Sequence, residues 1–189
     1  MPISYYPQLR VPPGVPVWEP KPIPFGRMSQ LAHDKLPAPA GLTVPSSLSV
    51  KLQGSWKQTG ASPARWQFQG GDLLLESRLA VYIIDEFRPV KKLFELIMSH
   101  ELLHVQDAID ILTRYMPEEV PRDEYVKKYL LEAQPVDDAM YRNWLQGQRF
   151  EQYVRDIWGL EWNRRGEARD SGPVYERYKL EVAKLLPRT

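Results

Sequence analysis

Between residues 47 and 86 apolar positions alternate with polar ones or gather in short runs. Leu48-Ser49-Val50-Lys51-Leu52-Gln53 alternates, and so does Arg65-Trp66-Gln67-Phe68-Gln69, which ends at Gly70-Gly71. Leu73-Leu74-Leu75 and Leu79-Ala80-Val81-Tyr82-Ile83-Ile84 are apolar runs of strand length. This pattern predicts three or four strands, with Ile83 and Ile84 in a well-buried one. The period then changes from two to that of a helix. Over 89–116, Val90, Phe94, Ile97, Met98, Val105, Ala108, Ile109, Leu112 and Met116 fall on one broad face. Pro89 suits the first turn of that helix and Pro117 is expected to stop it. A second helix is expected over 122–134, ending before Pro135. A third should run from Asp137 or Asp138 to about Arg165, and a last from Val174 to Leu186. Strands followed by helices, with no internal repeat, make the expected class α+β.

The segment before this pattern is of another kind. Eleven of the 18 prolines lie within residues 1–45. The run from Val11 to Pro24 is too rich in proline for a helix or a central strand. Residues 1–46 are therefore expected to form an extended, polyproline-like arm, pinned by Trp18, Ile23 and Phe25 onto a domain spanning 47–189. Arg10, Pro13 and Pro16 also match a loose ligand pattern for an SH3-like partner, although a packed arm is the expected role.

Composition narrows the function classes. Lys plus Arg is 25 and Asp plus Glu is 24, a net charge of +1 over 189 residues, which argues against a dedicated nucleic-acid binder. No apolar stretch is long enough to span a membrane, and the N-terminus lacks the basic-then-apolar order of a Sec-type signal. The absence of Cys removes disulfides, thiolate ligands and a thiol nucleophile.

The chemistry concentrates on His100-Glu101-Leu102-Leu103-His104. Histidines four residues apart on a helix lie about 40° apart around the axis, one turn above each other. Two imidazoles so placed can share one tetrahedral metal. Glu101 is rotated off the pair and can take a proton from water that the metal has acidified. A carboxylate at the buried edge of an amphipathic helix is otherwise costly.

Ile97-Met98-Ser99-His100-Glu101-Leu102-Leu103-His104-Val105 resembles the active-site signature of the zincin metallopeptidases. Gln106 departs from it, since an apolar residue is usual there. The resemblance implies a small twisted sheet ahead of the active-site helix and a helical C-terminal part, over roughly residues 47–165. It implies Zn2+ held by His100 and His104, with Glu101 as the catalytic base of a metalloendopeptidase.

A third ligand has to come from elsewhere. His33 lies in the irregular arm. The metzincin continuation would place a glycine and a histidine where this chain has Asp107 and Asp110, so a carboxylate is expected, as in the gluzincin or aspzincin branches. Glu151 is the first choice, because Met140, Trp144, Gly147, Val154 and Trp158 form an apolar helical stripe that includes it. Glu132 is the alternative. Asp107, three residues after His104, is expected behind the ligands, orienting an imidazole. Tyr141, Tyr153 and Tyr175 are candidate oxyanion donors.

The expected substrate is a protein or peptide, bound by β-addition along an edge strand of the 65–84 region. In size, element order and a late carboxylate ligand the chain also resembles the C-terminal metallopeptidase effector domains of type VI secretion spike proteins. That resemblance implies a secreted toxin delivered to another compartment, with a secretion apparatus or an immunity protein as partner. Two other readings stay open: an interaction module with a structural metal site and a Pro-rich recognition arm, and a zinc hydrolase of non-peptide amides.

Overall fold

Two 21-residue strands carry the sheet in this computed structural model, which describes residues 7–31, 39–131, 135–145 and 148–186. They are β3 (Gly41–Ala61) and β4 (Ala64–Ile84), paired as a hairpin that turns at Ser62 and Pro63. Three short strands complete a five-stranded sheet: β1 (Leu9–Arg10), β2 (Val17–Ile23) and β5 (Val136–Asp137). All pair with β4, β1 and β2 in parallel and β5 antiparallel. Helices follow the hairpin, so the chain is mixed α and β with an open sheet, consistent with α+β.

The separate strands expected over 73–84 merge into one because the odd positions stay buried from Leu73 to Ile83. Leu73, Leu75, Ser77, Leu79, Val81 and Ile83 are all buried, and the polar Glu76 and Arg78 point the other way. Gly70-Gly71 is not a turn. Gly70 has φ +136, and a Cβ on Gly71 would lie 2.2 Å from the Gln53 carbonyl oxygen, so the glycines permit a close backbone approach. The Gly71 N–H donates to the Gln8 carbonyl at 3.1 Å. β4 pairs with every other strand, with β5 at Arg65–Trp66, β1 at Gly71–Asp72 and β2 at Arg78–Ile84, so among the described residues these parts of the 65–84 region are not the free edge expected for substrate.

Within the segment expected to be a polyproline-like arm, the described residues include a strand and a helix. Val17–Ile23 pairs along its whole length with Arg78–Ile84, and α1 (Phe25–Leu31) follows it. Pro20 and Pro22 alternate with Glu19, Lys21 and Ile23. They remove donors of one parity only, so a strand paired along a single edge keeps its ladder.

The contacts divide the chain into two compact units, each assembled from three segments. One comprises Met1–Val15, Leu48–Glu76 and Asp110–Glu161. Its helical part begins with a π-helical turn at Ile111–Tyr115 and α3 (Met116–Glu119). The helix therefore runs through Pro117, since the widened turn before it relieves the clash a proline makes one turn back. Next come α4 (Glu124–Val126), capped by the Asp123 carboxylate, and α5 (Asp138–Met140), capped by Asp137. Each runs on into a π-helical turn, Lys127–Leu131 and Tyr141–Leu145. Stacked Trp66 and Tyr141, 4.6 Å apart, tie the hairpin to the π-helical turn after α5.

The other unit comprises Pro16–Ser47, Ser77–Ile109 and Trp162–Thr189. It holds β2, the open end of the hairpin, α2 (Lys91–Asp110), the end of α6 (Gln148–Arg169) and α7 (Gly172–Leu185). Its core is built by Leu79, Val81 and Ile83 of β4, Leu93, Ile97, Val105 and Ala108 of α2, and Val182 of α7. Among the described residues no helix is long and apolar enough to cross a membrane.

Candidate metal centre

The apolar stripe of α2 runs 93–97–101–105–108, and its middle position is Glu101, only 3% exposed. A stripe with this spacing faces the sheet, so the carboxylate is carried into the core. The first residues of β3 lie over it. The Thr43 hydroxyl donates to Glu101 Oε2 at 2.8 Å and to the Glu101 carbonyl at 3.3 Å. A Cβ on Gly41 would lie 2.7 Å from Glu101 Oε1, so only glycine lets the strand pass that close. Burial raises the Glu101 pKa above the usual carboxylate value, against the Thr43 hydrogen bond and the nearby histidines, which lower it.

His100 and His104 flank that stripe, one turn apart. Their rings are nearly perpendicular, at 84°, with centroids 5.1 Å apart. Both Nε2 atoms meet one oxygen: Asp170 Oδ1 lies 3.1 Å from His100 and 3.2 Å from His104. Asp170 directly follows α6, 66 residues beyond His104. Burial acts to raise its pKa, but the hydrogen bonds and charges of the two histidines prevail and hold it well below the ordinary value. Burial lowers the His104 pKa, and the Asp170 carboxylate, with Glu101 and Asp107, raises it overall.

These three donor atoms could hold a metal ion. All lie within 4.8 Å of one another. Tetrahedral bonds of about 2.0–2.1 Å put neighbouring ligand atoms about 3.3 Å apart, close to the two separations from Asp170. Two imidazole nitrogens and one carboxylate oxygen are the donor types zinc takes, and three protein ligands leave a fourth position open.

Aromatic rings line this group. Tyr178 stacks on His100 with centroids 4.3 Å apart, Tyr175 lies 5.4 Å from the same ring, and Trp162 lies 6.4 Å from His104. Burial, with the charges of Asp170 and Glu101, raises the Tyr175 pKa, so its hydroxyl stays protonated at neutral pH. Of the three tyrosines expected as oxyanion donors, Tyr175 is the one beside the histidines. Tyr141 packs on Trp56 and Trp66. The Tyr153 hydroxyl donates to Asp123, and burial with that carboxylate pushes its pKa up to about 12.

The carboxylate gathered with the histidines is Asp170, and Glu151 is not in that group. Glu151 sits in the first turn of α6, where an acid suits the helix dipole, and accepts a hydrogen bond from Arg155 at 3.3 Å. The stripe that pointed to it assumed one unbroken helix. The π-helical turn at Tyr141–Leu145 changes the phase, so Met140 and Trp144 do not predict which way residue 151 faces. Glu132, His33 and Gly147 lie outside the described residues. Asp107 is buried as expected, but both its oxygens accept from Arg169, at 2.8 and 2.9 Å, rather than orienting an imidazole. Sequence reasoning missed Asp170, Tyr178 and Thr43. The available signal for Asp170 is an acid closing a long helix just before Ser171-Gly172-Pro173.

Comparison of the chain with protein-family models, curated proteins and solved structures finds no match.

Proposed function

We propose that this chain is a zinc-dependent metallopeptidase in which His100, His104 and Asp170 hold the metal and Glu101 is the catalytic base. The observation that carries the reading is the convergence of two Nε2 atoms and one carboxylate oxygen beside a buried glutamate on the same helix. The order of a small sheet, then the helix with both histidines, then helices supports a zincin-like arrangement. A ligand set of two histidines and one aspartate corresponds to the aspzincin branch of that expectation.

Zinc, when bound, supplies a Lewis acid that polarises a carbonyl and makes water acidic enough to lose a proton near neutral pH. Glu101, on the same helix as both histidines, is the group proposed to take that proton. Its burial raises its affinity for protons, which suits a base that must later hand the proton to the leaving amine. Thr43 keeps one carboxylate oxygen occupied and fixes the rotamer, leaving Oε1 for the reaction. Tyr175 is the donor proposed for the developing oxyanion. Among the described residues β3 pairs only with β4, so its other edge offers backbone groups to an extended peptide next to Glu101.

The test uses the purified chain with an unfolded protein as substrate, together with elemental analysis. One zinc per chain and peptide-bond cleavage are expected. Glu101→Gln should retain the zinc and lose about 10²- to 10⁴-fold in rate. A chain that takes up no zinc, or a Glu101→Gln variant that cleaves at the original rate, would refute the proposal.

A further inference from the structure

Asp170 is an unfavourable place for a ligand. Its N–H donates to the Gly166 carbonyl at 2.9 Å, so the carboxylate stands at the C-terminal end of the 22-residue α6. The helix dipole disfavours an acid there. The side chain is 47% exposed. The chain then bends through extended Ser171 and Gly172, at φ +78, into α7. No hydrogen bond within that bend aims the carboxylate.

The preceding residue is fixed far more firmly. Arg169 Nε donates to Asp107 Oδ2 at 2.8 Å and Arg169 Nη2 to Asp107 Oδ1 at 2.9 Å, a two-pronged pair with a buried carboxylate. Arg165 Nη1 stands 4.0 Å from the same Oδ1. Asp107 is one turn beyond His104 on α2, so consecutive residues of α6 and the bend reach consecutive turns of one helix. With Arg169 locked on Asp107, only the Asp170 side-chain torsions remain to be set, and the histidines set them.

The geometry points to the Asp107–Arg169 pair as the positioning device that presents Asp170 to the metal. This rests on the zinc reading given above. Neither residue touches a ligand atom; both act through Asp170. The planar guanidinium fork is what makes the pair rigid. Lysine would keep the charge and lose the second prong.

The experiment measures zinc affinity of the full chain by chelator competition, and the visible spectrum of the cobalt-loaded protein, which reports the ligand set. Asp170→Ala, Arg169→Lys and the double variant Asp107→Asn/Arg169→Gln are compared, with thermal unfolding followed for each. The double variant removes both charges together and leaves no buried carboxylate unpaired. Arg169→Lys and the double variant should weaken zinc binding roughly 10- to 100-fold, shift the cobalt spectrum as Asp170→Ala does, and still unfold cooperatively. Adding the double variant to Asp170→Ala should weaken binding no further, because the pair acts through that carboxylate. Zinc affinity and cobalt spectrum unchanged in Arg169→Lys and the double variant, with Asp170→Ala impaired, would overturn the positioning role and leave the zinc site standing. A loss that adds in full to that of Asp170→Ala would show general structural damage and also overturn it. An Asp170→Ala variant with unchanged zinc affinity would remove the site itself.

Discussion

Under the proposed mechanism, a methyl group on Gly41 should slow hydrolysis without loosening the metal. The backbone of Gly41 is not in the left-handed region, so alanine can adopt it and the whole effect comes from contact. The added carbon would lie 2.7 Å from Glu101 Oε1, 2.7 Å from Ile97 Cγ2 and 2.8 Å from Glu101 Cγ. Ordinary contact begins near 3.4 Å, so the carboxylate side would have to give way by about 0.7 Å. Neither neighbour is a free end. Ile97 is fully buried in the core and Glu101 is tied to Thr43.

Overpacking of this kind costs about 1–3 kcal/mol, offset by about 0.4–1 kcal/mol from the stiffer unfolded chain. Gly41→Ala should therefore lose about 0.5–2 kcal/mol in urea denaturation, with an unchanged slope. Turnover is more sensitive. A displacement approaching 1 Å at a catalytic group costs on the order of 10²-fold, so a drop of about 10- to 100-fold is expected in initial rates on an unfolded protein. Zinc content should stay at the original value, because the three nearest atoms belong to Glu101 and Ile97 and not to the proposed ligands. Gly26→Ala, with nothing within 4 Å of its added carbon, is the control and should leave the rate unchanged. Gly41→Ala at full rate would show that Glu101 is not the base or is not held here. Loss of zinc together with activity would show that the strand supports the ligands instead.

Thr43→Val leaves Glu101 Oε2 without its donor and should destabilise the chain by about 1–3 kcal/mol while lowering turnover; Thr43→Ser should restore both in the same denaturation and rate assays. Tyr175→Phe should lower turnover by about 10²- to 10³-fold with little change in KM. Tyr153→Phe should keep the rate and lose about 1 kcal/mol of stability, since its hydroxyl serves Asp123. Glu151→Ala should keep both zinc and rate, with stability within about 0.5 kcal/mol of the original by denaturant melt, because its pair with Arg155 is only partly buried.

What the sequence made legible was whatever depends on near neighbours along the chain. The period change near residue 89, the helix carrying His100 and His104, and the burial of Glu101 all follow from spacing within one element. The strands were over-divided because Glu76-Ser77-Arg78 reads as polar punctuation, although Ser77 keeps the inward parity of Leu75 and Leu79. The proline-rich segment was misjudged for a related reason. Proline content excludes a central strand and not an edge paired along one side, and Val17–Ile23 is the latter. Helix phase failed at Tyr141–Leu145, where a π-helical turn has no sequence marker, and the argument for Glu151 failed with it.

Asp170 was out of reach for a deeper reason, and that reason bears on function. Nothing in its local sequence distinguishes it from a solvated acid after a helix. Its standing comes from a partner 66 residues away. Yet it and Glu101 share a property that local rules can judge once the fold is known. Each carboxylate stands where the fold penalises it, one in the apolar stripe of α2 and the other at the negative end of α6. Acids selected for stability alone would not collect in such positions. Asp170 reaches both histidines and Glu101 stands on the helix that carries them, and each has a neighbouring contact that fixes its surroundings: Thr43 on Glu101, and Asp107 on Arg169, the residue before Asp170. Conflicts with local preference that converge on one point, each with its own support, are the pattern expected where chemistry rather than folding chose the residues.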